Sequence, residues 1–374
     1  MIQPASIPAP TGVVDSSRSA AGTWGAALLP LRLVTGWMFF SAFHRRVLLT
    51  DKLSASEPGY IGEKFNQFMP GSIMGVGEMI EVLLDNPSAL HVFLWTFTLI
   101  EALAGLALIF GIASRLSALG ILLMSAGILF GAGWLGPTCL DEWQIGSVGI
   151  ASGAAMMLAG PGPLSLDAWL QRKFPQLARQ KWFELVAFPA APPGKRTTVL
   201  FATMAVFVTL ATNQVFHGGL WGPLHNDSVR PRVDVLSASL AATGELELEL
   251  ERPVGPETYG AFVVSVRLLD EHQRLVRAYG PHELSALPVE AVRNRWLVKV
   301  RPGPHGLVVP LGGRAKVRLP ASLPTSTDDL ADAAQASRYV IELEDVSGLA
   351  WRHDVRLDAH TRRDTTAPPA SAWR

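Results

Sequence analysis

The sequence predicts an integral membrane protein: a bundle of about five transmembrane helices that carries a β-rich domain on its outer face. Composition is the first indication, because only 17% of the 374 residues are charged and 49% are hydrophobic, whereas a soluble domain usually has about a quarter charged residues. The distribution is the second. All the long apolar runs precede about Phe216, and from about Leu220 onwards the chain reads as an ordinary soluble domain.

Five apolar runs are near the 20 residues that a hydrocarbon core of about 30 Å requires. They are Ala26–Val47, Val92–Ile112, Leu116–Leu135, Trp143–Gly160 and Thr197–Phe216. The fourth run is rich in glycine and alanine, which favours close packing against neighbouring helices. In the loop 48–91, apolar residues recur at nearly helical spacing with a break near Pro70-Gly71. This pattern predicts amphipathic helices that lie on the membrane surface or cap the bundle.

Lysine and arginine counts predict the orientation. The loop 161–196 holds six of these residues against two acids, and such loops stay in the cytoplasm. The N-terminus is then inside, and everything after Phe216 is extracytoplasmic. We therefore expect a protein of a bacterial or archaeal cytoplasmic membrane. The zero net charge gives no reason to expect a nucleic-acid partner.

Residues 232–358 change to short segments of alternating apolar and polar residues, separated by turns, which is typical of a small antiparallel β-sandwich. The clearest of these predicted strands are Glu245–Leu250, Ala261–Leu269, Trp296–Val300, Ala315–Leu319 and Tyr339–Leu343. The predicted division is a disordered cytoplasmic N-terminus (1–25), a four-helix membrane domain (26–170), a cytoplasmic linker (171–196), a fifth membrane helix (197–217), the extracytoplasmic β domain (218–358) and a disordered tail (359–374).

Glu101 lies near the middle of the second predicted span, where a bare acid costs about 2.5–3.5 kcal/mol to insert. Arg32 enters the first span from the inner side, roughly 9 Å deep if helical, so we expect its long side chain to reach Glu101. Two interpretations stay open. The pair is a structural ion pair that fixes helix register, or it handles protons or binds a quinone.

His44, Arg45 and Arg46 end the first span at its predicted outer face, where the charge bias should exclude them. They either snorkel to lipid phosphates or bind an anion. The lone cysteine, Cys139, lies in a Gly-Pro turn before Asp141, Glu142 and Trp143 on the same face. It is either a small apolar filler or a redox or covalent group, and His217 enters the same outer layer.

Several cofactor signatures are missing from the sequence. It contains no paired-cysteine motif, no haem-attachment signature, no dinucleotide fingerprint and no dense metal-ligand cluster. We therefore expect no haem, flavin or metal.

Three stretches resemble DoxD, a branch of the DoxX-like four-helix membrane proteins. They are Leu31–Phe40, the segment from Glu101 to Arg115 that includes Gly105 and Gly111, and the turn Thr138–Gln144. The segment that opens with Gly218–Asn226 and continues through the strands is similar to DoxA. Together the two halves, about 26–170 and 195–355, resemble the two subunits of thiosulfate:quinone oxidoreductase joined in one chain.

This resemblance implies oxidation of two thiosulfates to tetrathionate at the outer face, with two electrons passed to a membrane quinone. If the resemblance holds, our hypothesis is that Cys139, Asp141 and Glu142 are catalytic and that a cationic group binds the substrate. That group comprises His44, Arg45, Arg46 and His217. Quinone binding and protonation would fall to Arg32, Glu101 and Trp143.

Two other classes of function compete with this enzyme. The chain is alternatively a non-catalytic accessory or assembly subunit of a terminal quinol oxidase, or an anion-binding or transport protein. A single central acid and the lack of an inverted repeat disfavour a transporter. A homo-oligomer and a bound oxidase are both compatible with the sequence.

Overall fold

The computed structural model of the chain describes residues 23–136, 141–188, 193–225, 229–241, 245–257, 261–321, 339–355 and 358–360. The chain divides into two compact units, Met1–Asn226 and Asp227–Arg374. The first unit is helical and the second is built of β-strands. This division agrees with the predicted change from membrane bundle to β domain. The predicted disordered segments are 1–25 and 359–374, and this prediction is wrong at their inner ends, because residues 23–25 are helical and residues 359–360 belong to a strand. The remainder of both segments lies outside the described residues.

Within the described residues of the helical unit, a short helical segment at 23–27 precedes nine further α-helices. They are α1 (Leu29–Phe43), α2 (Ile61–Phe68), α3 (Val76–Leu84), α4 (Pro87–Phe110), α5 (Ser114–Ala132), α6 (Asp141–Ala159), α7 (Leu166–Lys173), α8 (Lys181–Val186) and α9 (Lys195–His217). A π-helix, His44–Leu49, continues α1 directly. Short 3-10 turns lie at Met69–Gly71 and Leu177–Arg179.

Among the described residues, three helices are long and apolar enough to cross a membrane: α4, α5 and α9. They correspond to the second, third and fifth predicted spans. The first and fourth predicted spans form helices α1 and α6, which are not in that group. In the first, regular α-helix occupies only 15 residues before the π-helix begins. In the fourth, glycine, serine and alanine dilute the apolar character, and the side chains turn towards other helices.

Glycines set the closest helix contacts of the bundle. Helices α1 and α4 cross at Gly36 and Gly105, where a Cβ on Gly105 would lie 2.7 Å from the carbonyl oxygen of Gly36. A side chain at this crossing would therefore push the two helices apart. On α6, Gly153 faces α5 in the same way, because its Cβ would lie 2.8 Å from the carbonyl oxygen of Ala118. The predicted close packing of the fourth span is thus confirmed.

The loop between α1 and α4 folds over one end of the bundle, and its predicted amphipathic helices are confirmed as α2 and α3. The break comes at the 3-10 turn that contains Pro70. The indole Nε1 of Trp134, just after α5, donates to the carbonyl oxygen of Phe68 at 3.0 Å. The backbone N–H of Ile73 donates to the carbonyl oxygen of Phe130 at 2.9 Å. These two hydrogen bonds hold the loop against the C-terminal end of α5, where it caps the bundle.

The β unit is a sandwich of two sheets within the described residues. Its strands are β1 (Arg232–Ala241), β2 (Leu246–Val254), β3 (Ala261–Leu269), β4 (Leu275–Tyr279), β5 (Val292–Asn294), β6 (Arg301–Gly303), β7 (Gly306–Val309), β8 (Arg314–Leu319), β9 (Tyr339–Asp345), β10 (Ala350–Val355) and β11 (Asp358–His360). One sheet has the order β11-β1-β2-β8-β5, and the other β10-β9-β3-β7-β6 with β4 paired to β3. Helix α10 (Pro281–Ser285) follows β4. Both sheets bury alternate residues in one core, with Leu248 and Leu343 fully covered.

One predicted strand is wrong. Residues Trp296–Val300 form bends between β5 and β6 rather than a strand. The Asn294 side chain closes this segment, because its Oδ1 accepts from the backbone N–H of Val300 at 2.6 Å and its Nδ2 donates back at 3.0 Å. Trp296, Val298 and Val300 are nevertheless all buried. The alternation in this segment therefore records burial, which a period of two does not distinguish from strand pairing.

Candidate functional site

The acid at the middle of the second span has an arginine partner. Glu101 on α4 is 3% exposed and accepts a charge-assisted hydrogen bond from Nη1 of Arg46, in the π-helix after α1. Arg45 lies within electrostatic range of the same carboxylate. The structure therefore brings two residues from different predicted groups, the outer cations and the central acid, into one buried contact.

The expected partner of Glu101 was wrong. Arg32 is buried near the opposite end of α1, and its guanidinium donates to the carbonyl oxygens of Pro161 and Leu164, the latter at 2.6 Å. The reason is geometric. Side chains on a helix lean towards its N-terminus, so Arg32 leans away from the α1–α4 crossing, whereas Arg46 leans back towards it. Glu101 lies four residues, about 6 Å, on the Arg46 side of Gly105.

A second buried acid lies beside Arg32. Asp167 on α7 accepts hydrogen bonds from the backbone N–H of Ala113 at 2.9 Å, the backbone N–H of Ser114 at 2.8 Å and the Ser114 hydroxyl at 2.7 Å. Burial raises the pKa of the Asp167 carboxyl, while these hydrogen bonds and the charge of Arg32 oppose the rise. The carboxylate caps the first turn of α5. The carboxylate oxygens accept hydrogen bonds from two backbone N–H groups and one hydroxyl at the start of α5, which is the arrangement of a structural residue.

The end of the bundle that holds α2 and α3 collects further charges that the sequence interpretation missed. Lys64 on α2 interacts electrostatically with Glu142 at the start of α6 and with Lys52 in the preceding loop. Burial lowers the pKa of the Lys64 ammonium and Lys52 lowers it further, while Glu142 raises it. Nothing local in the sequence indicates this group, because Lys64 and Glu142 belong to segments far apart in the chain.

The predicted cations have separate environments. Arg45 is exposed and His44 is half-buried, whereas Arg46 is committed to Glu101. Among the described residues, the Arg45 guanidinium makes no hydrogen bond or ion pair at contact distance. It is therefore the member of the predicted anion-binding group whose charge faces outward.

His217 ends α9 and lies against the turn after α5. It is buried, and its Nε2 is 3.2 Å from the carbonyl oxygen of Gly133, while its Nδ1 is buried without a hydrogen-bond partner among the described residues. One turn earlier on α9, the Thr212 hydroxyl accepts from the indole Nε1 of Trp143 at 3.1 Å. The predicted outer-layer residues His217 and Trp143 thus both connect α9 to the segments that flank residues 137–140.

Cys139 itself lies outside the described residues, and so does the side chain of Asp141. Their predicted catalytic roles therefore stay predictions. Glu142 and Trp143 are described and half-buried. Within the described part of the chain, no group of three or more His, Cys, Asp or Glu side chains is arranged to hold a metal ion.

These features define the class: a helical membrane protein with a buried Arg–Glu pair in its bundle, followed by a β-sandwich. Comparison with known proteins gives the family. The family model described as TQO small subunit DoxD matches residues 27–189, and the one described as TQO small subunit DoxA matches residues 216–354. The chain belongs to these families and joins them in the order DoxD–DoxA. TQO denotes thiosulfate:quinone oxidoreductase, so the resemblance stated from the sequence is confirmed.

Among solved structures, the Iho670 flagellar-like filament matches over 44% of this chain and 98% of that chain, at 10% identity and a TM-score of 0.21. A likeness this weak supports no inference about fold or function.

Proposed function

We propose that this chain oxidises two thiosulfate ions to tetrathionate and passes the two electrons to a membrane quinone. The joined DoxD and DoxA families support this reaction class. The observation that carries the proposal is the buried Arg46–Glu101 pair inside an apolar bundle. An acid in such a position is costly, and it is most often paired and functional.

The substrates explain the need for outward-facing cations. Two dianions about 4 Å apart repel by roughly 4 kcal/mol even at the dielectric constant of water. Arg45 is exposed, and Lys64 and Lys52 lie within electrostatic range of each other on the cap of the bundle. We assign thiosulfate binding to these three residues, because Arg46 is held by Glu101. Arg45 adds a planar donor group that fits the oxygens of a sulfonate-like head.

The proposed chemistry places the first sulfur–sulfur bond on Cys139. The Cys139 thiol and one thiosulfate form a protein S–S–SO₃⁻ adduct, releasing one proton and two electrons, and the electrons reduce the quinone. The second thiosulfate attacks the sulfane sulfur of the adduct, so that tetrathionate forms and the Cys139 thiolate leaves. This second step is a thiol–disulfide type exchange and changes no oxidation state overall.

Reduction of a quinone to a quinol consumes two protons. Glu101 is the group we assign to this proton traffic, with Arg46 setting its charge state and orientation. Lysine and arginine bias supports a cytoplasmic N-terminus and an extracytoplasmic β domain in the cytoplasmic membrane. Thiosulfate would then be handled at the outer face.

The test is turnover by the purified full chain in lipid vesicles with thiosulfate and a short-chain quinone. We expect quinone reduction with one tetrathionate formed per quinol, and Cys139→Ser should abolish both. Anion binding without quinone reduction would show that the protein is a receptor and not an enzyme. Activity that appears only with an added quinol oxidase would make the chain an accessory subunit. Retained turnover in Cys139→Ser would remove the covalent intermediate and leave the redox reaction standing.

A further inference from the structure

One cavity of the membrane unit lies away from the residues assigned above. It has a volume of about 480 Å³ and lies between the turn that precedes α1, the second half of α6 and the first half of α9. Of the described side chains that line it, only those of Trp24 and Thr198 carry a polar atom. The Thr198 hydroxyl already donates to the carbonyl oxygen of Gly194 at 3.3 Å. This volume is typical of ligand sites, and the lining is suited to a hydrocarbon chain.

Two cations stand at one end of this cavity. Lys195 and Arg196 form the first turn of α9, immediately beside the lining residues Pro193 and Thr198. Both are exposed, and neither forms an ion pair with any described residue. An apolar cavity with two outward-facing cations at its mouth matches a molecule with a negative head and an apolar tail.

The dimensions agree with a lipid of the adjacent leaflet. The lining on α9 extends to Ala205, ten residues beyond Lys195, which is about 15 Å of helix. That is half of a hydrocarbon core of about 30 Å, the depth that an acyl chain of one leaflet occupies. Trp24 lines the cavity and is 47% exposed. Tryptophan is enriched at the level of lipid headgroups, so it marks the same end of the cavity as the cations.

We propose that this cavity binds the acyl chain of an anionic phospholipid whose phosphate is held by Lys195 and Arg196. The α9 helix is 11% buried over its most apolar stretch, so most of its apolar surface does not contact the described part of the bundle. A bound lipid fills the space between α9 and the bundle and fastens α9 to α1 and α6. The proposal is independent of the thiosulfate chemistry, because the cavity contains none of the residues assigned to it.

The lining favours an acyl chain over the head of a quinone. A quinone head carries two carbonyl oxygens that need donors, whereas the described side chains around the cavity offer two polar atoms, and the Thr198 hydroxyl already donates to Gly194. The experiment must still separate the two occupants, because both have long apolar chains.

The test reconstitutes the full chain in nanodiscs of phosphatidylglycerol and phosphatidylcholine, transfers it to mild detergent and counts retained lipids by native mass spectrometry. We expect about one retained phosphatidylglycerol per chain. Ala202→Phe fills the cavity from an exposed position and should lower the number of retained phosphatidylglycerol molecules per chain at least fivefold. Thr203→Phe adds the same ring to the same helix outside the lining and should retain it.

The double variant Lys195→Gln, Arg196→Gln should keep a lipid but lose the preference for phosphatidylglycerol. Arg179→Gln with Lys181→Gln removes two charges from the preceding segment and should change nothing. Equal retention in Ala202→Phe and Thr203→Phe would overturn the proposal. So would a quinone found in place of the phospholipid when the chain is extracted from native membranes.

Discussion

Helix α1 and its π-helical continuation hold a buried arginine, Arg32, towards one end and a half-buried arginine, Arg46, towards the other, and the two have different partners. Arg32 donates to backbone carbonyl oxygens, and the nearby Asp167 is saturated by a helix N-terminus. Arg46 instead binds the carboxylate of Glu101 directly. Backbone groups hold the side chains at the Arg32 end, whereas the contact at the Arg46 end is made by two side chains alone. Under the proposed function, the Arg32 end is structural and the Arg46 end takes part in the chemistry.

The largest expected effect concerns Glu101. Glu101→Gln keeps the shape of the side chain but cannot carry a proton, so quinone reduction should fall about 10²–10⁴-fold, the range of a lost general acid–base group. The measurement is the turnover number of the folded protein in vesicles. Asp167→Asn, on α7 near the Arg32 end of α1, is the matched control and should leave turnover per folded molecule unchanged. Equal losses in both variants would show that Glu101 is structural.

The next effect is on stability. Arg46→Met leaves the Glu101 carboxylate buried without its partner, which should lower the free energy of unfolding by about 3 kcal/mol. The double variant Arg46→Met, Glu101→Met should recover most of this loss and remain inactive. Denaturant titration in detergent measures the first quantity and quinone reduction the second. If the double variant regains activity, the pair has no part in turnover.

A smaller loss is expected at the Arg32 end. Asp167→Ala removes the acceptor for three donors at the start of α5 and should cost about 2 kcal/mol in unfolding free energy. The pH dependence has a defined sign. Because burial raises the pKa of Asp167 above its unfolded value of about 3.9, its contribution to stability falls as pH rises from the unfolded to the folded pKa. Asp167→Asn should remove this slope.

The smallest effect concerns the cationic cap. Lys64→Gln should raise the KM for thiosulfate about fivefold, roughly 1 kcal/mol, and leave the turnover number nearly constant. The KM should also become less sensitive to salt, because a partly exposed charge is screened. Lys181→Gln, an equal change of charge in the segment assigned to the cytoplasm, is the control. An unchanged KM would remove Lys64 from the substrate site.

The sequence predicted most elements of this fold but few of its contacts. Apolar run length located the helices, because the bilayer dictates that length. The loop helices α2 and α3 followed from spacing and from Pro70. The pairing of Glu101 was missed because depth in the membrane alone does not show the direction in which the side chains of Arg32 and Arg46 lean along the helix. Lys64 was missed because its relation to Glu142 exists only in three dimensions.

The β unit shows the same limit. Strand β3 was predicted to its exact residues, Ala261–Leu269. The segment Trp296–Val300 alternates just as well and is not a strand, because the Asn294 side chain takes the hydrogen bonds of Val300. Alternation identifies which side chains are buried, and the hydrogen-bond partners of the backbone decide whether the segment forms a strand.

The widened turn at His44–Leu49 has a consequence for how this chain tolerates change in length. The hydrogen bonds of a π-helix span one residue more than those of an α-helix. The number of residues in this segment therefore sets the direction in which each of its side chains points around the helix axis. Losing or gaining one amino acid between the end of α1 and Arg46 would rotate the guanidinium of Arg46 about the helix axis by about 100°. What evolution must preserve in this segment is therefore its number of residues as much as their identity.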